Sequence, residues 1–98
     1  MTNTPPDSNS LDEVTVYGSA WCGYSAHVVR QLKALGVPHS YIDVDADKEA
    51  EQRIASWNDG RAIRPTLEID GEVFVNPGEM ELFGELKRRG LLGRALSG

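Results

Sequence analysis

A single cysteine and its neighbours are the residues of this sequence whose types and spacing could do chemistry. Cys22 is the only cysteine among the 98 residues, and it lies in the segment Trp21-Cys22-Gly23-Tyr24-Ser25. The thiolate form of a cysteine is the species that attacks disulfides. A strand pattern precedes the segment and a helical pattern follows it, so we expect Cys22 at the start of a helix. Unpaired backbone N–H groups and the helix dipole would stabilise its thiolate there.

The residues beside Cys22 suit a reactive, accessible sulfur. Gly23 leaves the approach to the sulfur unobstructed, and Trp21 and Tyr24 offer flat apolar surfaces to a substrate. Ser25 falls on the same helical face as Cys22 and could donate a hydrogen bond to its sulfur. The alternative is that Cys22 is a small buried residue without reactivity, as lone cysteines often are. We expect the reactive role, because a strand-to-helix turn is a poor place for a core residue.

The sequence pattern predicts seven secondary-structure elements in the order β-α-β-α-β-β-α. The predicted strands span residues 13–17, 39–44, 65–69 and 72–75, and the predicted helices span residues 23–35, 46–58 and 78–89. A helix joins the first two strands, so these strands should be parallel, whereas Asp70-Gly71 should close an antiparallel hairpin of the last two. The predicted fold class is therefore α/β, with one mixed four-stranded sheet covered by helices.

Polar and glycine residues mark where the predicted helices begin and end. Gly36 should end the first helix, Asp45 should be the N-cap of the second, and Asn76 followed by Pro77 should begin the last. Apolar residues recur at helical spacing and are expected to face the sheet. They are Val28, Leu32, Leu35, Ala50, Ile54, Trp57, Leu82, Phe83 and Leu86.

Composition and charge limit the kinds of function the chain could have. Its net charge of −5 argues against a nucleic-acid-binding groove, because neutralising phosphates requires clustered Lys and Arg. No apolar run approaches the roughly 18 residues of a membrane-spanning helix. Residues 1–11 are predicted to be a disordered tail, residues 12–93 one domain and residues 94–98 a C-terminal tail. We expect a monomer in the cytoplasm, where cysteines stay reduced.

Three segments of the sequence, in this order of elements, resemble the glutaredoxins, a family with the thioredoxin fold. Trp21-Cys22-Gly23-Tyr24-Ser25 is most similar to the Trp-Cys-Gly-Tyr-Cys site of the mycoredoxins, the members that serve the small thiol mycothiol. Arg64-Pro65-Thr66 resembles the proline loop of the family, and Asn76-Pro77 resembles the mycoredoxin pattern at the last helix. The resemblance implies a thioredoxin-like fold over about residues 13–92 and a cis peptide bond before Pro65.

The resemblance also implies an activity and a set of site residues. The activity is that of a thiol-disulfide oxidoreductase that reduces mixed disulfides between proteins and a small thiol, mycothiol or glutathione, without a metal. Cys22 would be the nucleophile, and Ser25 occupies the position of the resolving cysteine of dithiol members. The residues implied to bind substrate are Trp21, Gly23, Tyr24, Arg64, Pro65, Thr66, Asn76 and Pro77.

Two departures from the family pattern bear on the mechanism. Ser25 leaves only a monothiol mechanism, in which an external thiol resolves the mixed disulfide, and it is either a native serine or an engineered Cys→Ser exchange. The Gly-Gly-x-Asp segment with which many glutaredoxins hold glutathione is replaced by Asn76-Pro77-Gly78-Glu79. This replacement argues against glutathione as the natural thiol.

Other interpretations of these residues stay open. Arg64 is either a solvated surface charge or a cation that stabilises the thiolate and attracts a carboxylate of the thiol substrate. Monothiol glutaredoxins with a Cys-Gly-Phe-Ser site carry iron–sulfur clusters, so a cluster carrier is one alternative function, and a non-catalytic binding module is another. A cysteine hydrolase is disfavoured, because His27 lies about 140° around the helix from Cys22. His39 is expected at an exposed strand start.

Overall fold

The computed structural model describes residues 13–94 of the chain. Within this range, four strands and three helices follow the predicted order. The strands are β1 (Val14–Gly18), β2 (Ser40–Asp43), β3 (Thr66–Ile69) and β4 (Glu72–Val75), and the helices are α1 (Gly23–Ala34), α2 (Lys48–Ser56) and α3 (Glu79–Arg88). The predicted tail at residues 1–11 lies outside the described residues, and so does the predicted C-terminal tail apart from its first residue.

The strands form one mixed sheet in the order β2-β1-β3-β4. β1 is parallel to β2 and antiparallel to β3, and β3 is antiparallel to β4. The helical crossover between β1 and β2 explains their parallel pairing. The hairpin of β3 and β4 turns at Asp70 and Gly71, whose φ angles of 52° and 88° are the left-handed values that a two-residue turn of this kind requires. The predicted sheet and hairpin are both confirmed.

Apolar side chains cover both faces of the sheet. Successive residues of a strand point to opposite faces, so Val16 and Tyr17 belong to different cores. Trp57 extends the second core through an edge-to-face contact with Tyr17, with the ring centroids 5.6 Å apart. The first core contains Val14, Val16, Val28, Leu32, Val37, Leu67, Ile69, Leu82, Leu86 and Leu91. The second contains Tyr17, Val44, Ala50 and Ile54.

Shortening a side chain in the first core should destabilise the whole fold. Leu86 is completely buried, so Leu86→Ala removes packed methyl groups and leaves a cavity, which costs about 2–5 kcal/mol of the free energy of unfolding. Urea unfolding followed by circular dichroism measures this loss. Met80→Ala in the same helix is the matched control, because Met80 is 79% exposed and its truncation should cost less than about 0.5 kcal/mol. Equal losses for the two variants would contradict this account of the core.

Two predicted helix starts are wrong, and in both cases the helix begins later. The N-cap of α2 is Asp47, whose side chain accepts a hydrogen bond from a backbone N–H of the first turn at 3.0 Å, so Asp45 is not the cap. The N-cap of α3 is Gly78 rather than Asn76. Asn76 instead adopts a left-handed φ of 46° and donates its backbone N–H to the carbonyl oxygen of Pro65 at 2.8 Å. This contact with another loop fixes Asn76 outside the helix.

One residue of α3 that was expected to face inward lies at the surface. Leu82 and Leu86 are buried as predicted. Phe83 is only half-buried and lines a surface groove together with Met80 and Leu35. It lies about 100° around the helix from Leu82, which carries it past the edge of the contact with the sheet.

The topology brings four loops to one edge of the sheet. β1 and β2 are parallel, so their carboxyl ends lie together, and Gly18 pairs with Asp43. β3 is antiparallel to β1, so it begins where β1 ends, with Tyr17 opposite Thr66. β4 ends beside the start of β3, where Thr66 pairs with Val75. The loop that follows β1 therefore meets three other loops at this edge.

Candidate active site

Cys22 is the N-cap residue of α1, which confirms its predicted place at the start of a helix. Its backbone N–H donates to the carbonyl oxygen of Ser19 at 3.1 Å, and its own carbonyl oxygen accepts from Ala26 at 3.1 Å, which begins the helix. These bonds hold the sulfur beside the first turn, where backbone N–H groups lack partners within the helix. The side chain makes no capping hydrogen bond.

The pKa of Cys22 is lowered from its ordinary value, chiefly by the side-chain hydrogen bond from Ser25. Burial acts in the opposite direction and raises the pKa, whereas the backbone N–H groups of Ser25 and Tyr24 and the charge of Arg64 lower it further. Ser25 is completely buried, and its Oγ accepts a hydrogen bond from the backbone N–H of Ser19 at 3.3 Å. The hydroxyl proton of Ser25 can therefore be donated to the sulfur of Cys22, as predicted from the sequence.

Cys22 is covered more than the sequence analysis expects, with 9% of its surface exposed. It nevertheless belongs to neither apolar core. The neighbouring side chains of Trp21 and Tyr24 are 73% and 69% exposed. A Cβ atom at Gly23 would meet no atom within 4 Å beyond its chain neighbours and the nearby backbone of α1. The sulfur is thus recessed within a site whose surroundings are open.

The loop before β3 lies next to the sulfur. The peptide bond between Arg64 and Pro65 is cis, as the family resemblance implies. The carbonyl oxygen of Arg64 lies 3.9 Å from Sγ of Cys22, which can donate to it in the thiol form. Thr66 is buried, and its hydroxyl donates to the carbonyl oxygen of Ile63 at 2.7 Å. The side chain of Thr66 therefore fixes the shape of this loop.

The interpretation of Arg64 as a solvated surface charge is wrong, because its side chain is only 17% exposed. Its Nε donates to the hydroxyl of Ser19 at 2.7 Å, and its Nη1 donates to the carbonyl oxygen of Ala62 at 2.8 Å. Its Nη2 donates to carboxylate oxygens of Asp45 and Glu51, at 3.2 and 3.0 Å. The charge of Arg64 does stabilise the thiolate, but its donor groups already have partners within the protein.

Asp45 is a residue of this site that was not predicted from the sequence, and Glu51, which also contacts Arg64, is another. One of its carboxylate oxygens accepts a hydrogen bond from the indole Nε1 of Trp21 at 2.7 Å, and the other accepts from Arg64 at 3.2 Å. Asp45 therefore joins the loop before Cys22 to the proline loop. The sequence did contain a signal for this contact. The predicted parallel pairing of β1 and β2 places the acidic residues after β2 beside the residues after β1. The local capping pattern assigned Asp45 to a helix instead.

Asn76 and Pro77 border the same site from the side of α3. Together with Tyr24, His27 and Glu79 they line a shallow groove of about 270 Å³. The structure thus brings the aromatic residue after Cys22 next to the segment that resembles the mycoredoxin pattern.

Both histidines have other partners than Cys22. Nε2 of His27 lies 3.5 Å from a carboxylate oxygen of Glu79 on α3. Nδ1 of His39 lies 2.8 Å from the carbonyl oxygen of Val37. His39 is half-buried and precedes β2, so its expected exposed position at the strand start is wrong.

Neither a metal centre nor a membrane helix is found in the described part of the chain. Among residues 13–94, no three side chains of His, Cys, Asp or Glu are grouped so that they could hold a metal ion. No helix in that range combines the length and the apolar character needed to cross a bilayer.

This architecture defines the class of the protein: it has a thioredoxin-like α/β fold that presents a cysteine at the start of its first helix. A solved glutaredoxin from Archaeoglobus fulgidus has the same fold, with a TM-score of 0.71 at 22% sequence identity, and the match covers 90% of this chain and 99% of that one. The predicted fold class is confirmed.

Sequence comparison then shows the family. Residues 14–74 match the family model named Glutaredoxin. Mycoredoxin 1 of Corynebacterium glutamicum is 35% identical over 78 residues, which span 79% of this chain and 96% of that protein. An uncharacterized monothiol glutaredoxin (ycf64-like) of Synechocystis sp. is 37% identical over 75 residues, which span 76% of this chain and 66% of that protein. The chain belongs to the glutaredoxin family, and this supports a function in thiol-disulfide redox chemistry.

Proposed function

We propose that this chain reduces mixed disulfides between proteins and a low-molecular-weight thiol, by a monothiol mechanism through Cys22. The observation that carries the proposal is the position of the Cys22 sulfur at the start of α1, hydrogen-bonded by Ser25 and 3.9 Å from the carbonyl oxygen of Arg64. The first contact favours the thiolate. The second places a backbone acceptor where a thiol substrate joined to Cys22 would lie.

The reaction consists of two thiol-disulfide exchanges. The Cys22 thiolate attacks the small-thiol sulfur of the mixed disulfide, the bond between the two substrate sulfurs breaks, and the client protein leaves as a thiolate that takes a proton from water. Cys22 then holds the small thiol in a disulfide. A second small-thiol thiolate attacks the sulfur of the bound thiol, which releases the Cys22 thiolate and a disulfide of the small thiol. Ser25 cannot resolve the intermediate, so the second exchange requires an external thiol.

The residues around Cys22 have separate roles in this proposal. Trp21 and Tyr24 are exposed apolar walls against which the substrate packs, and Gly23 keeps the approach between them open. The segment 64–66 presents its backbone to the small thiol. Asn76 and Pro77 bind the other end of that thiol, because they share a groove with Tyr24.

We propose a mycothiol-like compound as the small thiol and glutathione as the weaker substrate. The segment Asn76-Pro77-Gly78-Glu79 supports this choice, since it resembles the mycoredoxin pattern and differs from the glutathione-binding one. The 35% identical relative named mycoredoxin 1 supports it as well. The second exchange consumes reduced thiol, so we propose that the protein acts in the cytoplasm. We also propose that it acts as a monomer, since the residues around Cys22 all come from one chain.

Mass spectrometry of the reduced protein after mixing with a mixed disulfide tests the proposal. We expect an adduct of the small thiol on Cys22 and a released peptide thiol when a peptide–mycothiol disulfide is added, and slower formation of the adduct from a peptide–glutathione disulfide. The same protein unfolded in urea is the control and should react as slowly as an ordinary cysteine. Absence of an adduct would contradict the proposal. In that case, visible absorbance after anaerobic reconstitution with iron and sulfide would support the cluster carrier, and its absence would support a binding module.

A further inference from the structure

An ion cluster beside Cys22 has no part in the exchange steps, but it bears on which thiols the site accepts. Two carboxylates, those of Asp45 and Glu51, contact the single guanidinium of Arg64 at 3.2 and 3.0 Å. Asp43 adds a third carboxylate, which accepts the backbone N–H of Asp45 at 3.0 Å. Lys48 lies 3.6 Å from the other carboxylate oxygen of Glu51, so three carboxylates face two cations and the cluster still carries a net negative charge.

The cluster and the reacting sulfur share one electrostatic environment. The charge of Arg64 lowers the pKa of Cys22, and the backbone of Arg64 approaches the sulfur to 3.9 Å. The pKa of Tyr41 is raised by burial first, and further by the charges of Asp43, Cys22 and Asp45. A charged group on a substrate bound at Cys22 would therefore interact with these carboxylates.

Arg30 on α1 does not offset this negative charge at the sulfur. It lines shallow pockets with Tyr41 on one side and with Gly23 and Tyr24 on the other. It nevertheless lies about 12 Å along the helix axis from Cys22, and the cation whose charge lowers the pKa of Cys22 is Arg64. Arg64 is the cation nearest to the reacting sulfur in this arrangement, and the two carboxylates that contact it determine whether it can attract an anion.

We propose that Asp45 and Glu51 are specificity-determining residues, which make the site favour small thiols without carboxylates over thiols that carry them. The inference rests on the proposed function, since it concerns the thiol that Cys22 attacks. An unpaired Arg64 would attract a substrate carboxylate. With Asp45 and Glu51 in place, that carboxylate instead meets net negative charge, and repulsion between unit charges about 8 Å apart changes rates roughly threefold to fivefold.

The test compares two substrates that differ in charge and hardly in shape, the pyridyl disulfides of N-acetylcysteine and of N-acetylcysteinamide. The Cys22 thiolate attacks the cysteine sulfur of either compound, the bond to the pyridyl sulfur breaks, and pyridinethione leaves and is measured by its absorbance. We take the ratio of the two rate constants, acid over amide. Dividing it by the same ratio for free mercaptoethanol removes the difference in intrinsic reactivity between the two disulfides. We expect this corrected ratio to lie below one for the native sequence and to rise with added salt, which screens the charges.

Three variants test whether the corrected ratio depends on the charge of the cluster or changes with the loss of any carboxylate. Glu51→Gln removes one charge and keeps an oxygen acceptor for Arg64, so it should raise the corrected ratio roughly threefold to fivefold. Asp45→Asn should change the ratio in the same direction and serves as the second test. Glu49→Gln is the matched control, because Glu49 is an exposed residue of the same helix without a contact to Arg64, and its ratio should stay at the native value.

The outcomes distinguish failure of this inference from failure of the proposed function. If Glu51→Gln and Asp45→Asn, both folded by circular dichroism, give the same corrected ratio as Glu49→Gln, the two carboxylates do not set specificity, although exchange through Cys22 stands. If the native chain reacts with neither disulfide faster than mercaptoethanol does at equal total thiol concentration and neutral pH, the proposed function itself is wrong.

Discussion

Cys22→Ser reduces thiol-disulfide exchange to the background rate of the small thiols, and at a pH below the folded pKa of Cys22, where the native side chain is a neutral thiol, the variant is at least as stable as the native chain. A serine hydroxyl is not ionised at neutral pH and has no activating base in reach, so the first exchange cannot occur. The fold gains from the same substitution. Cys22 is an N-cap without a capping hydrogen bond, and serine is a preferred N-cap whose hydroxyl can accept a backbone N–H of the first turn, which stabilises a helix by about 0.5–2 kcal/mol.

Cys22→Ala is the matched control for this prediction. It should be equally inactive, because it also lacks the sulfur, but it should lack the gain in the free energy of unfolding, because alanine cannot cap. Exchange is measured with the mixed-disulfide assay and stability by urea unfolding. Residual exchange in either variant would mean that another group reacts. A serine variant less stable than the alanine variant would contradict the N-cap geometry.

Ser25→Ala slows alkylation of Cys22 by roughly tenfold at a pH below the native midpoint of that reaction, the scale of one lost hydrogen bond to a charged group. The hydroxyl of Ser25 is the main reason that the pKa of Cys22 is lowered. Removing it moves the pKa upward, so the pH midpoint of the reaction with iodoacetamide rises. The measurement is the alkylation rate as a function of pH. Ser56→Ala is the control, since this exposed serine bonds only within α2, and its midpoint should not change.

The Ser25 substitution also has a cost for stability that must be separated from its effect on the thiolate. The Oγ of Ser25 accepts the backbone N–H of Ser19, so its loss leaves a buried donor without a partner, which costs about 1–3 kcal/mol. The pH midpoint does not depend on this cost as long as the variant is folded. An unchanged midpoint would show that the backbone N–H groups of α1, rather than the hydroxyl, hold the thiolate.

The lowered pKa of Cys22 also makes stability depend on pH, and the sign follows from proton binding. The folded state releases the thiol proton at lower pH than the unfolded state does, so the thiolate stabilises the fold. This contribution is complete above the unfolded pKa of about 8.5 and is lost as the pH falls through the folded pKa. The difference in the free energy of unfolding between the native chain and Cys22→Ala should therefore grow with pH between the folded and the unfolded pKa of Cys22. Ser25→Ala raises the folded pKa, so it should narrow this pH range.

Much of the fold could be predicted because its signals are local. The alternation in β1, the helical spacing in α1 and the Asp70-Gly71 turn each act within a few residues, and the structure confirms all three. The helix starts at Asp45 and Asn76 were predicted by equally local capping rules, and they were wrong. In both cases a contact with a segment distant in sequence determines where the residue lies, namely Arg64 for Asp45 and Pro65 for Asn76.

The sequence by itself determined the order of elements, the mixed sheet and the place of Cys22 at the first turn of a helix, because hydrophobic spacing and turn residues act along the chain. Only the tertiary structure decided that the sulfur is recessed and that Asp45 and Glu51 form ion pairs with the guanidinium of Arg64. The strand pairing places these groups at one edge of the sheet. Charges from separate segments can compensate one another only after that pairing has brought them within a few ångströms.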